Sequence, residues 1–149
     1  MEIANVLDSA VVDLNMEAQN KDEALKYLSK KLKDAGYIEN LDMFLKDIYY
    51  RESLDLTGIG EGVAIPHGQS ESVKKIGIAI GKLNKPIKWE TIDGKDVNLI
   101  FLFAVSKGNV EGNPHLKLLS SLARRLAKKE NIKALKEAKT FADILQVFK

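Results

Sequence analysis

Leu99-Ile100-Phe101-Leu102-Phe103-Ala104-Val105 is an unbroken apolar run of strand length, rich in branched and aromatic side chains. A strand with one wet face alternates apolar and polar residues, whereas a continuous run suits a central strand covered on both faces. Ile76-Gly77-Ile78-Ala79-Ile80 reads the same way. Between the two runs lie Lys85-Pro86-Ile87-Lys88-Trp89 and a turn signal at Asp93-Gly94. A weak alternation over Val11–Asn15 marks a first strand.

Outward from these strands the period becomes helical. Asn20 stands where its side chain can accept from free first-turn amides, with Glu23 at the reciprocal capping position. Leu25, Leu28 and Leu32 follow at helical spacing, and Gly36 stops the helix. A second helix is predicted from Leu41 to Glu52, burying Leu41, Phe44, Leu45 and Ile48 and carrying Arg51 in its last turn. Leu116, Leu119, Leu122 and Leu126 set a third, with Leu118 widening its apolar face. Ile132 and Leu135 continue after a break, and Thr140-Phe141-Ala142-Asp143 is a capping box opening a last helix through Ile144, Leu145 and Phe148. Helices that precede, separate and follow buried strands predict an α/β fold: one domain over residues 1–149, a mixed β-sheet with helices on both faces, a three-layer sandwich.

Composition excludes several functions. The 149 residues carry 23 basic and 21 acidic side chains, a net charge of +2. So even a balance gives no whole-surface attraction to nucleic acid or anionic lipid. The run Arg124-Arg125-Leu126-Ala127-Lys128-Lys129 has no interleaved aromatics and reads as a solvated helix face, so no nucleic-acid partner is expected. Trp89 beside Pro86 and Ile87 suits packing better than base stacking. With no cysteine and two histidines far apart, thiolate chemistry is impossible and a metal site is not expected. No G-x-S-x-G elbow is present. The N-terminus lacks a signal-peptide pattern and no apolar run approaches the ~20 residues of a membrane helix, so the chain reads as cytoplasmic.

The residues that could carry chemistry gather around Gly58-Ile59-Gly60-Glu61-Gly62-Val63-Ala64-Ile65-Pro66-His67-Gly68. Pro66 fixes its own φ and biases Ile65 toward an extended conformation, so Val63-Ala64-Ile65 reads as a short strand with His67 just past its end. Gly68 offers a sharp turn. Two readings stand open on the residues alone: a histidine rigidly presented to a reactant, or one in an ordinary surface turn. The glycine loop has neither dinucleotide spacing nor a P-loop ending. It reads as a connector, with an anion-binding nest as the alternative. Arg51 could clamp an anion bidentately or be a solvated helix-end cation. His115, in Asn113-Pro114-His115-Leu116, stands at a helix start that favours negative charge or is an ordinary first-turn residue.

Taken together, Arg51-Glu52-Ser53-Leu54, Thr57-Gly58-Ile59-Gly60-x-Gly62-Val63-Ala64-Ile65-Pro66-His67-Gly68, Pro86-Ile87-x-Trp89 with Asp93-Gly94, the Leu99–Val105 strand and His115-Leu116-x-Leu118-Leu119 with Leu122-Ala123-Arg124 resemble the IIA domains of the fructose–mannitol class of the bacterial sugar phosphotransferase system. The resemblance runs in order along nearly the whole chain. It implies a phosphocarrier, a transferase with a phosphohistidine intermediate. In such domains the Ile-Pro-His histidine accepts a phosphoryl group from the phosphohistidine of the carrier HPr. It passes the group to a cysteine of a IIB domain, and the sugar enters through the membrane component IIC. Carried over, His67 is the phosphorylated nucleophile, through Nε2; Arg51 and His115 are the supporting arginine and second histidine; Thr57 is the loop hydroxyl. One departure is Asp55-Leu56, where relatives have a small residue or glycine, which adds a carboxylate near a phosphate site. A nitrogen-related regulatory IIA protein, which takes phosphate but acts by binding targets, is the alternative.

Physical chemistry sets conditions on these roles. His67 must be neutral near neutral pH to attack phosphorus, a small demand for a group whose unperturbed pKa is ~6.5. A backbone carbonyl on the other ring nitrogen would fix its tautomer. In-line transfer needs neutralisation of the equatorial oxygens, which Arg51, Thr57, loop amides and His115 could supply with no metal. No cofactor and no ATP site is called for, because the donor is already a phosphoramidate.

Overall fold

A computed structural model describes residues 2–107 and 114–149 of the chain. A short helix α1 (Ile3–Val6) and a single 3-10 turn (Ser9–Val11) lead into β1 (Val12–Met16). Then come α2 (Lys21–Asp34), α3 (Leu41–Glu52), β2 (Gly58–Gly60), β3 (Val63–Ala64), β4 (His67–Gln69), β5 (Gly77–Ile87) and β6 (Val97–Val105). The chain closes with α4 (Pro114–Leu126), α5 (Lys129–Glu137) and α6 (Phe141–Phe148).

Among the described residues the strands form one mixed sheet in the order β1-β5-β6-β3-β2, with β4 also paired to β6. β5 and β6 are antiparallel; β1 runs parallel to β5, and β3 and β4 run parallel to β6. Val63 lies opposite Leu99 and His67 opposite Phe103, the same offset. β3 and β4 are therefore one line of chain interrupted at Ile65-Pro66, where proline has no N–H for the ladder. His67 thus lies past the end of the short strand β3, as expected, and also opens a further strand, β4, which the sequence did not predict.

The β6 run is buried on both faces because its alternate residues feed two cores. Leu99, Phe101, Phe103 and Val105 pack with Ile78 and Ile80 against Leu118, Leu122, Ile132, Ile144 and Phe148 of the C-terminal helices. Ile100, Leu102 and Ala104 pack with Leu25, Leu28 and Leu32 of α2 and with Phe44 and Ile48 of α3. Helices on both faces of one sheet are the three layers expected. No helix among the described residues is long and apolar enough to cross a membrane.

The helix ends follow the capping signals. Asn20 Oδ1 accepts from Glu23 N–H at 2.9 Å, while Glu23 Oε1 accepts from Gln19 N–H at 3.2 Å, one residue earlier than a capping box would place it. Thr140 and Asp143 complete a reciprocal box. In α4 the buried residues are Leu118, Leu122 and Leu126, whereas Leu116 is 58% exposed. Leu119 packs partly buried against the same core, so of the leucines expected on this face only Leu116 stands off it.

Candidate active site

The site begins with the rigid placement of His67. Pro66 C=O accepts from Phe103 N–H at 2.9 Å, and Ile65 N–H donates to Thr57 C=O at 2.9 Å. The imidazole stacks on Phe103, with ring centroids 5.7 Å apart and planes 19° apart. Gly68 does not turn the chain: it is extended in β4, and a Cβ there would overlap the Phe44 ring of α3. The glycine is required for close approach of α3 to the sheet, which corrects the expected sharp turn.

Two helix ends complete the site. Asn40 caps α3 by accepting from Met43 N–H at 3.0 Å. The last turn of α3 carries Arg51, whose Nη1 donates to Asp55 C=O at 3.4 Å. The first turn of α4 carries His115. His67, Arg51 and His115 line one cleft of about 270 Å³, with Phe103 beneath and Tyr50, Leu54 and Leu116 at its rim. Those three rim residues are 66%, 62% and 58% exposed, a run of apolar surface around a polar floor. Asp47 and Lys107 also line the cleft and pair at 3.6 Å.

Among the described residues, both ring nitrogens of His67 and both of His115 are buried without a hydrogen-bond partner. Among the described residues no carbonyl holds the second nitrogen of His67, contrary to expectation. Burial first, and the Arg51 guanidinium second, push the His67 pKa down to about 4. At neutral pH the ring is therefore uncharged, with a free lone pair. Four orphan imidazole nitrogens beside an arginine leave hydrogen-bonding capacity for a group that arrives from outside.

The remaining expected residues stand elsewhere. Thr57 is 2% exposed and is not part of the cleft lining. Its hydroxyl donates to Glu52 Oε1 at 3.0 Å and accepts from Trp89 Nε1–H at 3.1 Å. The Asp55 carboxylate accepts from Leu56 N–H at 2.7 Å and is likewise outside the cleft lining, so this departure from the family pattern is occupied locally. The glycine loop is a β-hairpin: Gly60, Glu61 and Gly62 take φ values of 96°, 56° and 79°, and Glu61 N–H donates to Asp93 Oδ2 at 3.0 Å. Its Glu61 amide is thus committed to Asp93. Sequence reasoning missed Tyr50, Leu54, Phe103, Asp47 and Lys107. Tyr50 carried a usable signal, since it lies in the last turn of α3 off the face of its core residues Phe44, Leu45 and Ile48.

Residues 5–149 match the family model for the phosphoenolpyruvate-dependent sugar phosphotransferase system, EIIA 2. The chain belongs to this EIIA family. Members of the family are phosphotransferase components. The chain is 34% identical over 146 residues to the 2-O-alpha-mannosyl-D-glycerate-specific EIIABC component of Escherichia coli (strain K12), covering 97% of this chain but 22% of that protein. It is 31% identical over 134 residues to a fructose-like EIIA component of the same organism, covering 90% of this chain and 89% of that one. Among solved structures it resembles the nitrogen regulatory protein IIA-Ntr from Neisseria meningitidis, with a TM-score of 0.88, 27% identity and 99% of each chain covered. It also shares the fold of E. coli IIAMTL in complex with phosphorylated IIBMTL, with a TM-score of 0.79, 22% identity and coverage of 95% and 96%. The EIIA fold is thus assembled here with its helix ends converging on the His67 cleft.

Proposed function

We propose that His67 carries a phosphoryl group between HPr and a IIB domain in sugar uptake of the fructose–mannitol class. The observation that supports this most is a neutral imidazole with unpartnered nitrogens, sharing a cleft with Arg51 and His115. The lone pair of His67 Nε2 attacks phosphorus as the N–P bond of phospho-HPr breaks, and that electron pair returns to the HPr imidazole. Arg51 offers a planar fork to two equatorial oxygens, and a ring N–H of His115 meets the third. Onward transfer mirrors this: a IIB cysteine thiolate attacks phosphorus and the His67 ring recovers its lone pair. The apolar rim at Tyr50, Leu54 and Leu116 suits docking of a protein donor and acceptor.

The test is incubation with phosphorylated HPr. Wild-type protein is expected to gain one phosphoryl mass, labile to acid and stable to base, and His67→Ala none. A wild-type mass that does not change would defeat the proposal. His115→Ala and Arg51→Ala are expected to stay folded and slow transfer to IIB. The likeness to IIA-Ntr supports a second reading, a regulator whose phosphorylation controls target binding. Transfer from the phosphorylated protein to a IIB cysteine separates them, since a regulator leaves that cysteine unmodified.

A further inference from the structure

Behind the cleft lies a buried chain of polar side chains for which phosphoryl transfer, as described, has no use. Glu52, whose side chain is 7% exposed, holds Lys21 Nζ at 2.6 Å. Its Oε1 accepts from the Thr57 hydroxyl at 3.0 Å, and that hydroxyl accepts from Trp89 Nε1–H at 3.1 Å. The Lys21 ammonium sits 5.0 Å from the Trp89 ring centroid and reaches Glu90 at 2.9 Å. The start of α2, the end of α3, the approach to β2 and the segment after β5 meet in these contacts.

What the chain joins gives it meaning. Glu52 is the next residue after Arg51 on α3. The Thr57 carbonyl holds Ile65 N–H at 2.9 Å, and Ile65 leads to His67 through the stiff Pro66. The Glu52–Thr57 hydrogen bond is thus a short link between the helix that bears the arginine and the strand that bears the histidine. Both partners of this carboxylate, the Lys21 ammonium and the Thr57 hydroxyl, converge on Oε1, while Oε2 is buried with no hydrogen-bond partner among the described residues; a charge this buried is tolerable only because it is paired. A site needs such support, because about 1 Å of misplacement can cost on the order of a hundredfold in rate.

We propose that Glu52 is a positioning residue for phosphoryl transfer, acting with Thr57, Lys21 and Trp89 to lock Arg51 against His67. This rests on the carrier role of His67. Thr57 then acts through the frame of the site and not by touching the phosphoryl group.

The experiment uses the purified chain, phosphorylated HPr, and variants Glu52→Gln, Thr57→Val and Thr57→Ser. Glu52→Gln and Thr57→Val are expected to keep the wild-type circular dichroism spectrum. Their maximal rate of phosphoryl uptake is expected to fall about ten- to hundredfold, with the half-saturating donor concentration changed less than about twofold. Thr57→Ser restores the rate. A second readout needs no donor: in imidazole NMR of the unphosphorylated protein, the His67 titration moves up toward ~6.5 in both variants as the ring gains water. Variants that only melt earlier, with uptake and His67 titration as in wild type, would overturn the proposal. Should Glu52→Gln fail to fold, Lys21→Met at the outer end of the chain decides by the same two readouts. If wild type takes no phosphoryl group, the carrier reading fails by itself, and the His67 titration still judges the link.

Discussion

His67 is uncharged because of where it sits, and that has a measurable consequence. An unfolded histidine titrates near ~6.5. The folded ring, desolvated and facing Arg51, titrates at about 4. Between these values the unfolded chain binds the extra proton, so stability rises with pH there. The contribution is fully present above ~6.5 and is lost as pH falls through that window, by about 3 kcal/mol in total. Urea titrations of wild type and His67→Ala near neutrality and near pH ~4.5 check this: acidification should destabilise wild type more than the variant. Equal acid sensitivity would mean that the ring is not held neutral. The proline and glycine around His67 were legible in sequence as a frame. The reason for Gly68 was not, because it lies in the Phe44 ring of a helix distant along the chain. Nor was the engagement of the Thr57 hydroxyl, which needs Glu52 and Trp89 folded against it.

At the scale of elements, α3 and the caps of α2 and α6 were readable because their signals are local: a capping side chain, a period, a stop. The α4 stripe was readable except at its start, because periodicity alone does not say whether Leu116, in the first turn, still meets the core. Leu118, Leu122 and Leu126 meet the sheet, while Leu116 faces the cleft rim. The buried and rim leucines should separate by substitution. Leu122→Ala is expected to cost about 2–5 kcal/mol of stability, the usual loss for a buried leucine. Leu116→Ser should change stability by no more than about 0.5 kcal/mol while slowing phosphoryl uptake from HPr. Denaturation curves beside transfer rates check both. A Leu116→Ser protein that transfers at the wild-type rate would remove the rim from the docking surface.

For the whole molecule, the continuous apolar run of β6 predicted a sheet covered on both faces, since only a strand buried twice has no polar side. The pairing order lay beyond reach: parallel and antiparallel neighbours make the same demand on composition. The convergence of the α3 and α4 ends at one end of the β4–β6 pair, which makes the site, follows from that order. This arrangement separates stability from chemistry along a single strand. Phe101 packs edge-to-face on Phe148, with centroids 6.2 Å apart, and has no part in the cleft lining. Phe103, two residues on, carries the His67 ring. Phe101→Ala should cost about 3–5 kcal/mol, yet leave phosphoryl uptake per folded molecule unchanged. Phe103→Ala should lose both, because removal of its ring leaves the imidazole free to turn and lets water into the floor of the cleft. Chemical denaturation paired with mass-spectrometric phosphorylation at matched folded fraction measures the two quantities together. If Phe101→Ala slows uptake as much as Phe103→Ala does, the site draws its geometry from the core at large and not from the residue beneath the histidine.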